Sequence, residues 1–280
     1  MRLRVLTINV QNDEGDPRRT GLLNYTLRRL TPDLVAFQEV CYPDWRDQLA
    51  ELVADTGLRH TTHQADVLTY VPPHADRYGG TAIATRWPHR VVEAVDQRTP
   101  DVHWWTLAAL IDVPGLGAQL FITPTTPWRL DAEAARVRQA VEVTDLDVRH
   151  RGALPTVIAG DLNACPEAAS IRYLSGLQPL AGRSAYYHDA WAVAGEGPGH
   201  TWSVDNPIAA TEIDRVVGQS NHRRRMDYVF VGSAHAHPKA RARIVAARLV
   251  GDRPVDGVWL SDHAGVLVDL EIERLRPLGF

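Results

Sequence analysis

The chain has 280 residues, 45% of them hydrophobic and 23% charged, which is the composition of a globular protein with room for a sizeable core. A formal net charge of −4 and a pI near 6.3 exclude the broadly basic surface that attracts polyanions, leaving only a local arginine cluster or a bound divalent cation to make a site positive. No apolar run approaches the roughly 20 residues that cross a bilayer, and the opening MRLRVLTINVQND lacks an apolar signal core, so a soluble cytoplasmic protein without a membrane span is expected, with Cys41 and Cys165 as reduced structural thiols.

In chain order, a first buried strand reads through Leu3, Val5, Leu6 and Ile8. Leu23, Leu27 and Leu30 recur at i, i+4 and i+7, which predicts a helix that stops before Thr31-Pro32, because proline disfavours helical geometry in the residue ahead of it. A strand over 33–38 follows. Asp44 is expected to cap a short helix bearing Leu49, Leu52 and Val53, with Gly57 as its stop. Strands are predicted over 66–71, 80–85, 104–112 and 118–123. From Asp131 as cap, Ala134, Val137, Val141 and Val148 mark the apolar face of a longer helix, with Glu133, Arg136, Arg138 and Glu142 opposite. Strands over 155–160, 227–231 and 264–272 complete the set, while 194–222, with AGEGPGH, DNP and GQSN, reads as loop. Several strands follow one another without a helix between them, so packed sheets with helices outside are predicted rather than a regular doubly wound sheet.

Five segments place a polar side chain at the end of a strand: LTINVQN (6–12), VAFQEV (35–40), VIAGDLNA (157–164), RRMDYVFV (224–231) and LSDHAGVLV (260–268). Phosphate-ester hydrolysis needs a metal to neutralise developing charge, a base for water, and donors that hold the phosphoryl oxygens. Glu39 is the best metal ligand, since Mg²⁺ takes one or two carboxylates and keeps several waters. His263 has the proton-exchange chemistry, provided that a second group orients it. Taken singly, each motif is also what a solvated acid or an Asx turn after a strand looks like.

Together and in this order, the motifs resemble the endonuclease/exonuclease/phosphatase superfamily, the DNase I-like metal-dependent phosphoesterases, over positions 5–268. The resemblance implies an α/β (α+β) four-layer sandwich, two packed mixed β-sheets flanked by helices, with residues 1–280 as one domain. It implies that Glu39, Asn9 and Asp262 hold Mg²⁺, with Mn²⁺ possible. By the same resemblance Asp161 aligns or deprotonates the attacking water, Asn163 hydrogen-bonds a phosphate oxygen, and Asp227 orients His263; Asp161 and His263 both stay open as the base. The implied activity is a phosphodiesterase or phosphatase acting on a small phosphorylated metabolite or lipid head group. The alternatives are an endonuclease or exonuclease acting on DNA or RNA, and a repurposed, non-catalytic member of the fold. No protein partner is implied. GGTAIATRWP (79–88), Thr201, Trp202 and Asn206, and the segment His188 to Trp191 read as scaffolding.

One position departs from the family pattern. Members commonly end a strand in Asn-Thr-His-Leu before GDLN, where the His is a general acid, and that position here falls on Thr125, which cannot act as an acid at neutral pH. Three explanations stay open: Tyr70, His74 or a metal-bound water protonates the leaving group; the leaving group needs no acid; or the site serves a different task. Other polar clusters read more plainly: His60 with His63 and His235 with His237 as surface histidines, and Arg223-Arg224-Arg225 as either a phosphate contact or a solvated run. Serine-hydrolase, P-loop and dinucleotide-binding signatures are missing from the sequence.

Overall fold

The computed structural model describes residues 1–72, 75–99 and 102–275. The chain opens with β1 (Arg2–Asn9), α1 (Arg19–Leu30), β2 (Leu34–Val40), α2 (Gln48–Val53), β3 (His60–His63), α3 (Ala75–Tyr78) and β4 (Gly80–Thr85). Then come β5 (His89–Arg98), β6 (His103–Val113), β7 (Gly117–Thr125), α4 (Glu133–His150), β8 (Val157–Asp161) and α5 (Ala169–Leu174). The remainder is β9 (Tyr187–Asp189), α6 (Ala190–Ala194), β10 (Trp202–Ser203), α7 (Pro207–Val216), β11 (Arg223–Arg224), β12 (Asp227–Gly232), β13 (Ala240–Val250) and β14 (Gly265–Arg274).

These strands make two six-stranded mixed sheets, ordered β13-β14-β1-β2-β4-β3 and β5-β6-β7-β8-β12-β9, with β10 and β11 as a separate pair. The central strands read as continuous apolar runs because both of their faces are covered. Val5, Ala36, Phe121, Val157 and Val229 point into a core shared by the two sheets. Their chain neighbours point the other way: Leu6 and Phe37 meet α1 and α2 through Leu23, Leu27, Leu49 and Leu52. On the far side Ile122, Ile158 and Phe230 meet α4 and α5 through Val143, Leu146 and Ile171. The result is the helix–sheet–sheet–helix sandwich expected, with each fully buried Leu, Val or Phe stabilising it by about 1.5–3 kcal/mol.

Several local expectations fail for identifiable reasons. No strand forms over 66–71; β3 precedes it, and a 3₁₀ turn over Gln64–Asp66 bends the chain away. His63 and Asp66 form a capping box there, and the Gln64 amide ties Thr81 N (3.0 Å) to the Tyr42 hydroxyl (2.9 Å). Asp47, not Asp44, caps α2 by accepting from Ala50 N, and the helix ends at Val53, ahead of Gly57. Asp131 does not cap α4; its carboxylate pairs with Arg129 at 2.9 Å. The buried face of α4 is also rotated, running through Ala135, Gln139, Ala140, Val143 and Leu146, while Val148 is 70% exposed. Arg136 lies on the buried side, donating to the carbonyls of Pro127 and Arg129 at 2.9 and 2.8 Å. Within the expected loop 194–222 stands α7, started by Asn206 as cap and Pro207 in its first turn. The strands β5 and β13, absent from the sequence reading, run along sheet edges where charged residues break the apolar alternation.

Candidate active site

The sheet registers carry the five motifs to one edge of the sandwich. β1 and β2 run parallel with Asn9 opposite Gln38, so Asn9 and Glu39 leave their strands side by side. β8 and β12 run antiparallel with Asp161 directly opposite Asp227. β14 runs antiparallel to β1, so Asp262 and His263, just ahead of it, arrive at the same end. A bridge between Trp202 and His263 closes that edge.

The backbone here adopts conformations that side chains ordinarily avoid. Glu39 has φ +58°, at a register shift between Phe37 and Val40, and Gln11, Asn12 and Asn163 also have positive φ. Gly79 fits against this bulge because a Cβ there would lie 2.5 Å from Val40 O and 2.6 Å from the Glu39 carbonyl carbon. Two Asx contacts hold the turns, Gln11 N to Asn9 Oδ1 and Asn163 N to Asp161 Oδ1, each 2.9 Å. The Asx turn and the functional placement of Asp161 therefore coexist.

Asn9 is the link between the two sheets. Its Nδ2 donates to Glu39 Oε1 at 2.9 Å and to Asp161 Oδ2 at 3.3 Å. His263 Nδ1 lies 2.9 Å from Asp227 Oδ2 and 4.0 Å from Asp161 Oδ2. Asn163 donates from Nδ2 to Thr126 O at 3.2 Å. The segments read as scaffolding touch the same centre. Thr201 Oγ1 accepts from the backbone N–H groups of Met226 and Asp227, and Asn206 Nδ2 donates to Ser261 O at 2.8 Å. The Trp202 ring lies 6.3 Å from that of His263.

Electrostatically, the centre is short of positive charge. Burial, then the charge of Asp262, pushes Glu39 up to about 8. Burial, then Asp227, pushes Asp161 up to about 7. Burial works against a charged His263, but Asp227, Asp161 and Asp262 outweigh it and raise the imidazole well above its ordinary value. Arg19, which sequence reasoning missed, is buried beneath the site; it donates to the Leu260 carbonyl at 3.0 Å and faces Asp262 and Glu39. Its only sequence signal was an arginine at the start of a helix, where a cation is unfavourable.

A divalent cation fits this charge deficit. The side chains of Glu39, Asn9 and Asp262 offer oxygen donors, the preference of a hard ion. Asp161, Asp227 and His263 also bring ligating atoms within 4.8 Å of one another, and Asp227 Oδ1 is buried without a hydrogen-bond partner among the described residues. Because His263 is already committed to Asp227, the oxygen-only side around Glu39 suits a hard divalent cation better than the imidazole side.

The remaining expectations resolve individually. Thr125 Oγ1 is hydrogen-bonded to Thr81 Oγ1. Tyr70 donates to Asp96 and is pushed up to about 12, by burial and then by Asp96, so it holds its proton; His74 lies outside the described residues. Arg225 is no phosphate contact, being buried in an ion pair with Asp189 at 2.8 Å, and Arg223 pairs with Asp205 at 2.7 Å. His63 and His237 are buried rather than at the surface. Both cysteines are free thiols. No helix among the described residues is long and apolar enough to cross a membrane.

A cleft of about 590 Å³ opens over the site and runs on past Thr125 to a rim that includes Tyr78, Arg98, His103 and Trp128. No curated protein matches the sequence. Among solved structures, TDP2 of D. rerio in complex with a single-strand DNA product superposes with TM-score 0.70 at 20% identity, covering 96% of this chain and 99% of that one. A functionally unknown conserved protein of Enterococcus faecalis V583 gives TM-score 0.67 at 16% identity, over 97% and 100% of the two chains. The endonuclease/exonuclease/phosphatase of Beutenbergia cavernae DSM 12333 gives TM-score 0.65 at 25% identity, over 96% and 71%. The model of the Endonuclease/Exonuclease/phosphatase family matches residues 6–263, from the first strand through His263, and the chain belongs to that family.

Proposed function

We propose that residues 1–280 form one domain that hydrolyses a phosphate ester with Mg²⁺, by attack of water at phosphorus. The supporting observation is the approach of the Asp227–His263 pair to within 4.0 Å of Asp161, itself joined through Asn9 to Glu39. Glu39, Asn9 and Asp262 would hold the cation, which supplies neutralisation of the charge that builds on the phosphoryl oxygens. Asp161, its carboxyl raised by burial and by Asp227, takes the proton of the attacking water as the new P–O bond forms. His263, held as imidazolium by the surrounding carboxylates, faces the developing negative charge, and Asp227 fixes its orientation. The Asn163 amide holds a phosphoryl oxygen in line while the bond to the leaving group breaks.

The acidic net charge favours a phosphorylated small molecule over a long polyanion. The test is hydrolysis of bis(p-nitrophenyl) phosphate, p-nitrophenyl phosphate, plasmid DNA and RNA with Mg²⁺, Mn²⁺ or EDTA. Turnover that needs the cation and disappears in Asp161→Ala and His263→Ala is expected. Turnover that survives EDTA, or that both variants retain, would refute the mechanism.

A further inference from the structure

Arg19, the first residue of α1, is 2% exposed and takes no part in the proposed chemistry, yet it sits at a helix start, where a cation is unfavourable. Its guanidinium donates to carbonyls from two separate segments. Nε reaches Leu260 O at 3.0 Å, Nη2 reaches Val10 O and Nη1 reaches Glu14 O, with Gln11 O at 3.4 Å from both Nη groups. The three candidate cation ligands hang on these segments. Asn9 leads directly into the Val10–Glu14 loop, Asn12 N donates to Glu39 O at 2.7 Å, and Asp262 N donates to Gln11 Oε1 at 3.2 Å. Gln48, fully buried, adds a second tie: its Nε2 donates to Asn12 O at 2.6 Å and its Oε1 accepts from Cys41 N, two residues past Glu39, at 2.9 Å. The loop depends on such ties, because Gln11 and Asn12 keep φ at +52° and +36°, a backbone conformation that persists only where its surroundings enforce it.

An arginine suits this task because its planar fork presents five N–H groups at fixed angles, and carbonyls from different segments must come to that fork to be satisfied. A lysine would keep the charge but offers three rotating donors on a flexible stem. We propose that Arg19 is a positioning residue for the cation: it clamps the Val10–Glu14 loop to the Leu260–Asp262 segment, so that Asn9, Glu39 and Asp262 stand together before the ion binds. The proposal rests on the reading of those three residues as cation ligands and names what holds them. Its rival is a plain counter-charge. Against the cost of burial, Asp262 and then Glu39 are the carboxylates that most favour the guanidinium, and a cation held beside them also repels Mg²⁺. The two roles differ in sign. Removing a counter-charge tightens Mg²⁺ binding, whereas removing a clamp weakens it.

Calorimetric titration of the metal-free chain with Mg²⁺ separates them without reference to turnover. Arg19→Met and Arg19→Lys should each raise the Mg²⁺ Kd about 10- to 100-fold, the usual loss when a group that supports a metal ligand is removed. Arg19→Lys is the sharper variant because it keeps the charge, and it carries the test alone if Arg19→Met does not fold. A Kd that falls in Arg19→Met, or that is unchanged in Arg19→Lys, overturns the clamp. If the wild-type chain takes up no Mg²⁺, the ligand reading fails, and the clamp is judged by amide hydrogen exchange in the metal-free chain. Exchange over 10–14 and 260–263 should then speed up about 10- to 100-fold in Arg19→Lys, as expected for the loss of a hydrogen bond to a charged group, while β8 and β12 keep the wild-type rate. Unchanged exchange in those two segments, or equal acceleration throughout the chain, overturns it.

Discussion

The paired strands β8 and β12 have two ends, each with a buried histidine near a carboxylate, and the two histidines are tuned in opposite directions. At one end His263 sits 2.9 Å from Asp227, whose Oδ1 has no hydrogen-bond partner among the described residues, and with Asp161 and Asp262 also facing it is raised well above its ordinary value. At the other, His237 lies 3.8 Å from Asp147, and burial lowers its pKa from the usual 6.5. Asp147 is already satisfied there by Thr156 Oγ1 (2.5 Å), the Tyr187 hydroxyl (2.7 Å) and Arg151 (2.9 Å). His237 itself is fixed as the neutral tautomer, Nε2 accepting from Thr156 N at 3.2 Å and Nδ1 donating to Ser233 O at 3.2 Å. Burial is common to both ends. What separates the histidine that is raised from the one that is lowered is whether the facing carboxylates are already satisfied.

The contrast can be broken from either side. The largest effect is expected at the His263 end: Asp161→Ala or His263→Ala should cut kcat by about 10²–10⁴ in a steady-state assay; the melting temperature should stay unchanged or rise in Asp161→Ala, which relieves buried like charges, and fall in His263→Ala, which leaves Asp227 without its partner. Retained activity would place the chemistry elsewhere. Next in size is the metal. Mg²⁺ at about 100 times its Kd should stabilise the wild-type chain by about 2.7 kcal/mol, seen as a raised melting temperature, and Glu39→Gln should abolish most of that rise. An equal rise in the variant would remove Glu39 from the ligand set.

At the structural end, His237→Ala leaves the buried Thr156 N–H without its acceptor and should cost about 1–3 kcal/mol in urea unfolding, with kcat unchanged. The smallest effect is its pH dependence. Because the folded-state pKa of His237 is depressed, its contribution is full above about pH 6.5 and declines as the pH falls from there through the folded value. Stability measured at about pH 7.5 and about pH 5.5 should therefore drop more in the wild type than in His237→Gln, by about 1 kcal/mol or less. An equal drop in both chains would mean that this histidine does not titrate in that window.

The site was more legible in the sequence than the fold's edges were. Asn9, Glu39, Asp161, Asn163, Asp227, Asp262 and His263 each follow or open a doubly covered strand whose apolar run is unmistakable, so their places could be read from local pattern. Edge strands have no such signature: β3 is His-Thr-Thr-His, and β13 alternates exposed arginines that solvate a sheet margin. Helix α7 did have a signal, Asn206-Pro207 ahead of Ala209 and Ile213, which the glycines on either side obscured. Arg19 and Arg136 were invisible as buried groups because what draws them inward is backbone carbonyls, which leave no mark on residue type; the Glu133 partner of Arg136 at 2.8 Å reads in sequence as an ordinary surface i,i+3 pair.

By itself, then, the sequence determined the layered class of the fold, through strand-period patterning, and, through the order of its five motifs, the resemblance that singled out the residues of the charged centre. Tertiary structure alone decided which of the two histidines is raised, that Asn9 spans Glu39 and Asp161, that Arg225 is spent on Asp189, and that Tyr78 and Trp128 share one cleft wall. These depend on distances across the two sheets and on how many carboxylates face one buried point. A linear order of residues fixes neither until the strands have paired.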